Sequence, residues 1–171
     1  MSARANYIRP PNGVITCSLP VIQYLCANAR ADEIVQYEAL TGRDYDADEA
    51  AVGFYMAGPW RIAATDGEKP IAAGGYQEIT PGVFQSWMVG TQEGWDTHWR
   101  TIHRITRFLI QQMEDSGRVR RFQTNALASR TRACAWYERL GMTYEGTMRG
   151  MGVGGEDVAM YGRVVDNVEA W

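Results

Sequence analysis

SRTRACAWYERLGMTYEGTMR, running from Ser129 to Arg149, decides how this chain is read. Ala133, Trp136, Tyr137 and Leu140 recur at i, i+3, i+4 and i+7, the spacing of one helix face. Ser129 stands where a helix cap belongs and Gly141 where a helix stops. Met142-Thr143-Tyr144 then reads as the start of a strand. The stretch is a helix, a glycine stop and a strand, in that order.

Upstream, Asp96 to Asp115 has the period of a long amphipathic helix. Its apolar stripe is Trp99, Ile102, Ile105 or Thr106, Leu109 and Met113, and Gly117 ends it. Arg121 to Asn125 reads as a buried strand between the two helices. Before the long helix, Trp60–Ala64 and Ile71–Glu78 flank the turn Asp66-Gly67-Glu68-Lys69-Pro70, and Phe84–Val89 returns after Pro81-Gly82. That is an antiparallel meander. Gly74-Gly75 inside it predicts either a bulge or a close approach. Leu19 to Leu40 is helical in two pieces with a break near Ala29, and Ala51–Met56 reads as a short helix. Tyr7-Ile8-Arg9-Pro10 reads as a first strand. Met142–Met148 and Val158–Val164, joined by the link Gly150–Gly155, are the last two.

Bulk properties narrow the function classes. At 171 residues the chain is one domain with room for its own core. A net charge of −3 gives no whole-molecule attraction to nucleic acid, although a local basic patch keeps that partner as a minor reading. Cys17, Cys26 and Cys134 are odd in number and lack metal-site spacing, which fits a reduced, cytoplasmic setting. No apolar run approaches the roughly 20 residues of a membrane span, and the N-terminus lacks a signal peptide's apolar core. His98 and His103, at i and i+5, do not share a helix face, so no metal site is expected. Thr41 to Ala50 is an acidic loop. Its Asp44, Asp46 and Asp48 imitate a calcium loop that fails at Glu49 and Tyr55, leaving a solvated loop or an acidic rim for a cationic amine.

Lys69 is the sole lysine among 17 basic residues. Half of the arginines fall between Arg100 and Arg132, against only Glu114 and Asp115. Arg100, Arg104 and Arg107 lie at i, i+4 and i+7 on the long helix. This row is either a solvated face or a side-chain binding surface for phosphate.

Trp136-Tyr137-Glu138-Arg139-Leu140-Gly141-Met142, with Tyr144-Glu145-Gly146, resembles the C-terminal signature of the GNAT-type acyl-CoA N-acyltransferases. The element order β, α, α, three antiparallel β, α, β, α, β, β matches that family across nearly the whole chain, and Ile8-Arg9-Pro10 is usual for its first strand. The resemblance implies an α/β (α+β) fold in a single domain, 1–171, with a tail from 165. It implies a mostly antiparallel sheet flanked by helices. The fourth and fifth strands would splay in a V that holds acetyl-CoA.

The resemblance also implies roles. Backbone amides at the start of the long helix would hold the pyrophosphate. The family loop there reads R/Q-x-x-G-x-G/A, whereas this chain has Thr97-His98-Trp99-Arg100-Thr101-Ile102, with Gly90 and Gly94 as the nearest glycines. A backbone N–H at a bulge near Met88, Val89 and Gly90 would polarise the thioester carbonyl. Tyr137 would protonate the leaving thiolate, or else serve only as part of its helix's apolar stripe. Asn125 either binds substrate or cofactor backbone or ends a strand. Met88, Val89, Gly90, Trp99, Arg100, Arg104, Asn125 and Ser129 are thus the expected cofactor contacts. The acceptor would be a small-molecule or protein amine.

Gln85-Ser86-Trp87-Met88-Val89-Gly90-Thr91, with Trp95 and His98-Trp99-Arg100, is also similar to the small GNAT-like proteins of tailed bacteriophages. That similarity implies a phage-encoded protein of the infected cytoplasm or the virion, with phage or host protein partners. It allows a non-catalytic role in assembly.

Overall fold

The computed structural model describes residues 9–165. The elements are β1 (Val14–Ile15), α1 (Leu19–Ala27), α2 (Ala31–Thr41), α3 (Ala47–Met56), β2 (Trp60–Thr65), β3 (Pro70–Thr80), β4 (Val83–Gly90), α4 (Gln92–Thr97), α5 (Trp99–Asp115), β5 (Arg121–Leu127), α6 (Thr131–Arg139), β6 (Thr143–Met148) and β7 (Val158–Val164). Seven strands form one sheet in the order β1-β2-β3-β4-β5-β7-β6. Only the β4–β5 pair is parallel.

That pair positions the site. It is joined only over Val83–Gln85 and Arg121–Gln123, after which β4 runs on to Gly90 and β5 to Leu127 unpaired with each other. Ser86 Oγ and Thr124 Oγ1, 2.5 Å apart, make the last stitch at the apex. The expected V between the fourth and fifth strands is therefore present, in a mixed and mostly antiparallel sheet flanked by helices.

Each face of the sheet buries its own cluster, as the period of two along a strand requires. On one face Ile62, Ala64, Ala72 and Phe84 pack with Ile102, Ile105, Leu109 and Met113 of α5 and Trp136 of α6. On the other Ala63, Ala73 and Val89 pack with Ile22, Leu25 and Cys26 of α1 and Ala50 and Ala51 of α3. Each large side chain buried this way contributes about 1.5–3 kcal/mol. Gly141, at φ 82°, takes the left-handed conformation that ends α6.

Some expectations fall outside the described residues and others are corrected by the structure. Tyr7 and Ile8 of the expected first strand lie outside the described residues, and the first described strand is Val14–Ile15. Of the expected tail, only Val165 is described. The acidic loop is half helix: Asp46 accepts from Glu49 N–H at 2.8 Å and starts α3 at Ala47. The long helix is broken at His98. Thr91 caps a short helix, α4, by accepting from Gly94 N–H at 3.0 Å, and α5 begins at Trp99. Arg130 rather than Ser129 precedes α6, with no side-chain cap. Gly74-Gly75 is a close approach and not a bulge, since β2–β3 register is unbroken from Trp60 to Ala64.

Candidate active site

The V opens into a cavity of about 660 Å³ that passes between β4 and β5 from one face of the sheet to the other. This lies within the range of about 300–1,000 Å³ usual for small-molecule sites.

The β4 wall follows from strand geometry. Thr91 N–H donates to Ile71 C=O at 3.0 Å, and β4 pairs with β3 in continuous register from Gly90 back to Phe84. In an antiparallel ladder the backbone groups of alternate residues point to opposite edges. The N–H groups of Val89 and Trp87 therefore turn into the β3 ladder, and those of Ser86, Met88 and Gly90 turn toward the gap. No bulge is needed to aim them. Of the three residues expected at the acyl group, Met88 faces the cavity with its amide. Val89 is withdrawn, with its amide in the sheet and its side chain buried in the α1–α3 cluster.

Gly90 is also withdrawn, for a reason the sequence did not reveal. Its N–H donates to Glu33 Oε2 at 2.8 Å, and its C=O accepts from Arg30 N–H at 3.0 Å. Glu33 Oε1 accepts from Trp95 Nε1 at 2.7 Å. Asp32 pairs with Arg30 and, at 3.0 Å, with Arg130. Gln36 Oε1 takes both the Leu127 N–H (3.1 Å) and Arg130 Nη1 (2.9 Å). The first turns of α2 thus tie the free end of β4 to the free end of β5. Burial pushes the Glu33 carboxyl up to about 7, although the Gly90 N–H, Arg130 and the Trp95 N–H all pull it down. Burial also works against Asp32, but Arg130 and Arg30 outweigh it and hold that carboxyl below its ordinary value. Glu33, Gln36 and Arg130 line the cavity and were not anticipated. Their partners lie 57 to 98 residues away in sequence, beyond any local pattern.

Tyr137 reaches the cavity from α6. Its hydroxyl donates to Asn125 C=O at 3.2 Å, and its ring packs against Trp136 and Tyr161. Burial raises the phenol above its ordinary value, so it holds its proton at neutral pH. Asn125 also lines the cavity, inside β5 and not at its end.

The α5 end of the cavity is rimmed by Trp99, Arg132 and Arg139. Arg100 is exposed beside it, its guanidinium 4.9 Å over the Trp99 ring. Arg104 is not on the rim: it is exposed and donates to Asn12 C=O. Ser129 is exposed and does not line the cavity. Arg100, Arg132 and Arg139 form no ion pair among the described residues. The cavity lining carries Arg30, Arg130, Arg132 and Arg139 with the carboxylates of Glu33 and Asp96. A separate group of Asp66, Glu93 and His98 side chains converges on the β2–β3 hairpin, where Lys69 Nζ, 2.5 Å from Glu93, already supplies a cation.

No protein-family model matches the sequence, and a search of curated proteins finds no match. Solved structures do match in fold. The ribosomal-protein-alanine N-acetyltransferase from Brucella melitensis superposes with a TM-score of 0.69 at 11% identity, covering 89% of this chain and 99% of that one. RimL, the ribosomal L7/L12 alpha-N-protein acetyltransferase in complex with coenzyme A, gives 0.70 at 15%, covering 94% and 98%. The microcin C7 self-immunity acetyltransferase MccE, in complex with acetyl-CoA and AMP, gives 0.70 at 15%, covering 92% and 96%. At these identities the likeness establishes the fold, which is that of the GNAT acetyltransferases.

Coenzyme A can be tested against the residues in two parts. The amide cradle for its pyrophosphate is reduced to the first two N–H groups of α5, those of Trp99 and Arg100, which have no acceptor among the described residues. The N–H groups of Gly94, Trp95, His98, Thr101 and Ile102 are spent on Thr91 Oγ1, Thr91 C=O, Gly94 C=O and, for the last two, His98 C=O. Gly90 and Gly94 do not serve as an alternative loop either. A Cβ at Gly90 would meet the Trp95 indole at 2.6 Å, and one at Gly94 would meet Ile71 C=O at 2.4 Å, so both glycines serve packing. The gap itself suits a thioester arm, and the anion-binding groups beside it are arginine side chains.

Proposed function

We propose that this protein is an N-acyltransferase that moves an acyl group from a thioester donor such as acetyl-CoA to an amine, with the V cavity as its active site. The observation that carries this reading is the gap between β4 and β5, where lining arginines, the Glu33 carboxylate and the protonated Tyr137 phenol meet in one cavity. A phosphate-bearing donor is drawn to Arg132 and Arg139, and a cationic amine to Glu33. Arg132, Arg139 and Arg100 would hold donor phosphates by side chain, in place of the amide loop. The Met88 N–H would stabilise charge developing on the thioester oxygen. Tyr137, protonated and hydrogen-bonded to Asn125, would supply a proton to the departing sulfur.

A second reading is a non-catalytic protein on the same fold, acting by protein contacts in phage assembly. One observation favours it: hydrogen bonds in α4 and the first turn of α5 take up the N–H groups of Gly94, Trp95, His98 and Thr101, which leaves a pyrophosphate those of Trp99 and Arg100. The phage origin itself rests on the sequence similarity around Trp87 and Trp95.

Thiol release from acetyl-CoA in the presence of primary amines separates the two. Tyr137→Phe should lower kcat by roughly 100-fold while leaving donor affinity in place. A Phe variant as fast as the parent removes Tyr137 from the mechanism. A parent that releases no thiol with any amine favours the non-catalytic reading.

A further inference from the structure

Resting on the acyl-transfer reading, we propose that the acceptor is a primary amine carried on an aromatic body, with its ring against Tyr37, Phe54 and Trp87 and its nitrogen at Glu33.

The α2 half of the cavity has an unusual wall. Phe54 of α3 and Trp87 of β4 stack at 4.9 Å with 15° between their planes, giving a flat aromatic surface. Tyr37 stands beside it, held edge-on by Tyr45 at 5.3 Å. Flat rings gain most from another ring laid against them. Glu33, Tyr37 and Leu40 follow at i, i+4 and i+7, so one face of α2 offers a carboxylate and then apolar surface. A ligand that reads this face has a charged nitrogen at one end and an apolar ring beyond it.

The charges exclude the competing amines. Among the described residues Glu33 and Asp96 are the carboxylates that line the cavity, and Asp96 sits at the opposite mouth, held by Gln92 at 2.7 Å. A polyamine would leave its remaining ammonium groups against Phe54, Trp87 and Leu40, an uncompensated desolvation. A protein N-terminus needs room for the chain that leads away from its first residue. Here the Gly150–Gly155 link folds onto the end of α2, with Val153 N–H donating to Ala39 C=O at 2.9 Å.

Glu33 then has a chemical part. The Gly90 and Trp95 donors fix its carboxylate, which is poised to take one proton from the bound ammonium. The freed nitrogen lone pair bonds to the thioester carbonyl carbon. As the tetrahedral adduct collapses the carbon–sulfur bond breaks, the thiolate takes a proton from Tyr137, and the nitrogen gives up its second proton, which restores the Tyr137 phenol. The products are an amide and a free thiol.

The test is an acceptor panel of phenethylamine, spermidine and a short peptide with a free N-terminus, scored by thiol release from acetyl-CoA. Quenching of tryptophan fluorescence by each amine is measured alongside, without donor. Phenethylamine should exceed the other two by roughly tenfold in kcat/KM. Phe54→Ala should erase that margin, and Glu33→Gln should remove the pH dependence of kcat/KM near neutrality. Preference for spermidine or the peptide overturns this inference and leaves acyl transfer standing. If no amine releases thiol, acyl transfer falls, and quenching decides the pocket: saturable quenching by phenethylamine alone supports the aromatic-amine site, and no quenching overturns it.

Discussion

Gly75 shows what a single residue in the β3 wall must do. Its backbone has no unusual φ, so an alanine is conformationally allowed there. The obstacle is space. A Cβ would lie 2.4 Å from Trp60 C=O and 2.8 Å from Trp87 Nε1. The backbone oxygen cannot yield without moving β2, and the indole cannot yield without leaving Phe54. Gly75→Ala should therefore cost about 1–3 kcal/mol, read as a lower urea midpoint at unchanged slope. An unchanged midpoint would mean that the sheet absorbs the methyl group freely. The glycine pair was legible in the sequence as an anomaly within a strand, but bulge and close approach look alike until the neighbouring strands are known. The same limit applies to Met88, Val89 and Gly90. The sequence placed all three at the gap, while their alternation along the strand depends on which neighbour takes which edge.

At the scale of elements, the order of strands and helices was readable because each carries its own period and its own stops. Two short features were not. The α4 helix hides in a stretch that the family pattern makes a loop, and its start is a threonine cap with no apolar stripe behind it. The α2 lattice is non-local. Ile34 and Tyr37 announced a helix, but nothing in the sequence pairs Glu33 with Gly90, or Gln36 with Leu127.

That lattice has a measurable signature. Glu33 titrates near 7 in the fold because of burial, and at the ordinary value for a glutamate, about 4.3, when unfolded. Between those values the native state binds more protons than the unfolded state, so stability falls as pH rises and levels off above about 7. The groups around Glu33 are Asp32 on its own helix, Arg130 before α6, Cys26 of α1 and Tyr45 of the α2–α3 loop. Only Glu33 is expected to change charge within the window. His103 adds an opposite slope elsewhere, since burial lowers its pKa and its loss of stability comes as pH falls. Comparison with Glu33→Gln cancels that contribution. From pH 5 to 8 the parent should lose stability relative to the Gln variant, followed by thermal midpoint. Parallel curves would show that Glu33 titrates as an ordinary surface carboxylate.

Over the whole molecule the account rests on a passage between β4 and β5 that offers arginines to the donor and Glu33 to the amine. The arginine excess between Arg100 and Arg132 was visible as composition. Its role was not, because sequence position does not tell which arginines reach a mouth. Arg139 of the rim lies outside that window, Arg132 is at its edge, and Arg104 inside it points away toward Asn12. The glycine loop of the GNAT pattern was visibly missing, and the structure adds that the N–H groups of His98, Thr101 and Ile102 in that segment are already hydrogen-bonded. If acyl transfer survives here, side-chain cations must do the work of that loop.

The most direct test is a calorimetric titration of acetyl-CoA at low and at high salt, on the parent and on the Arg132→Ala/Arg139→Ala double variant. The account predicts micromolar binding at low salt that weakens steeply as salt screens the rim and that the double variant largely loses. No binding at millimolar acetyl-CoA, or binding indifferent to both salt and the two arginines, would contradict it.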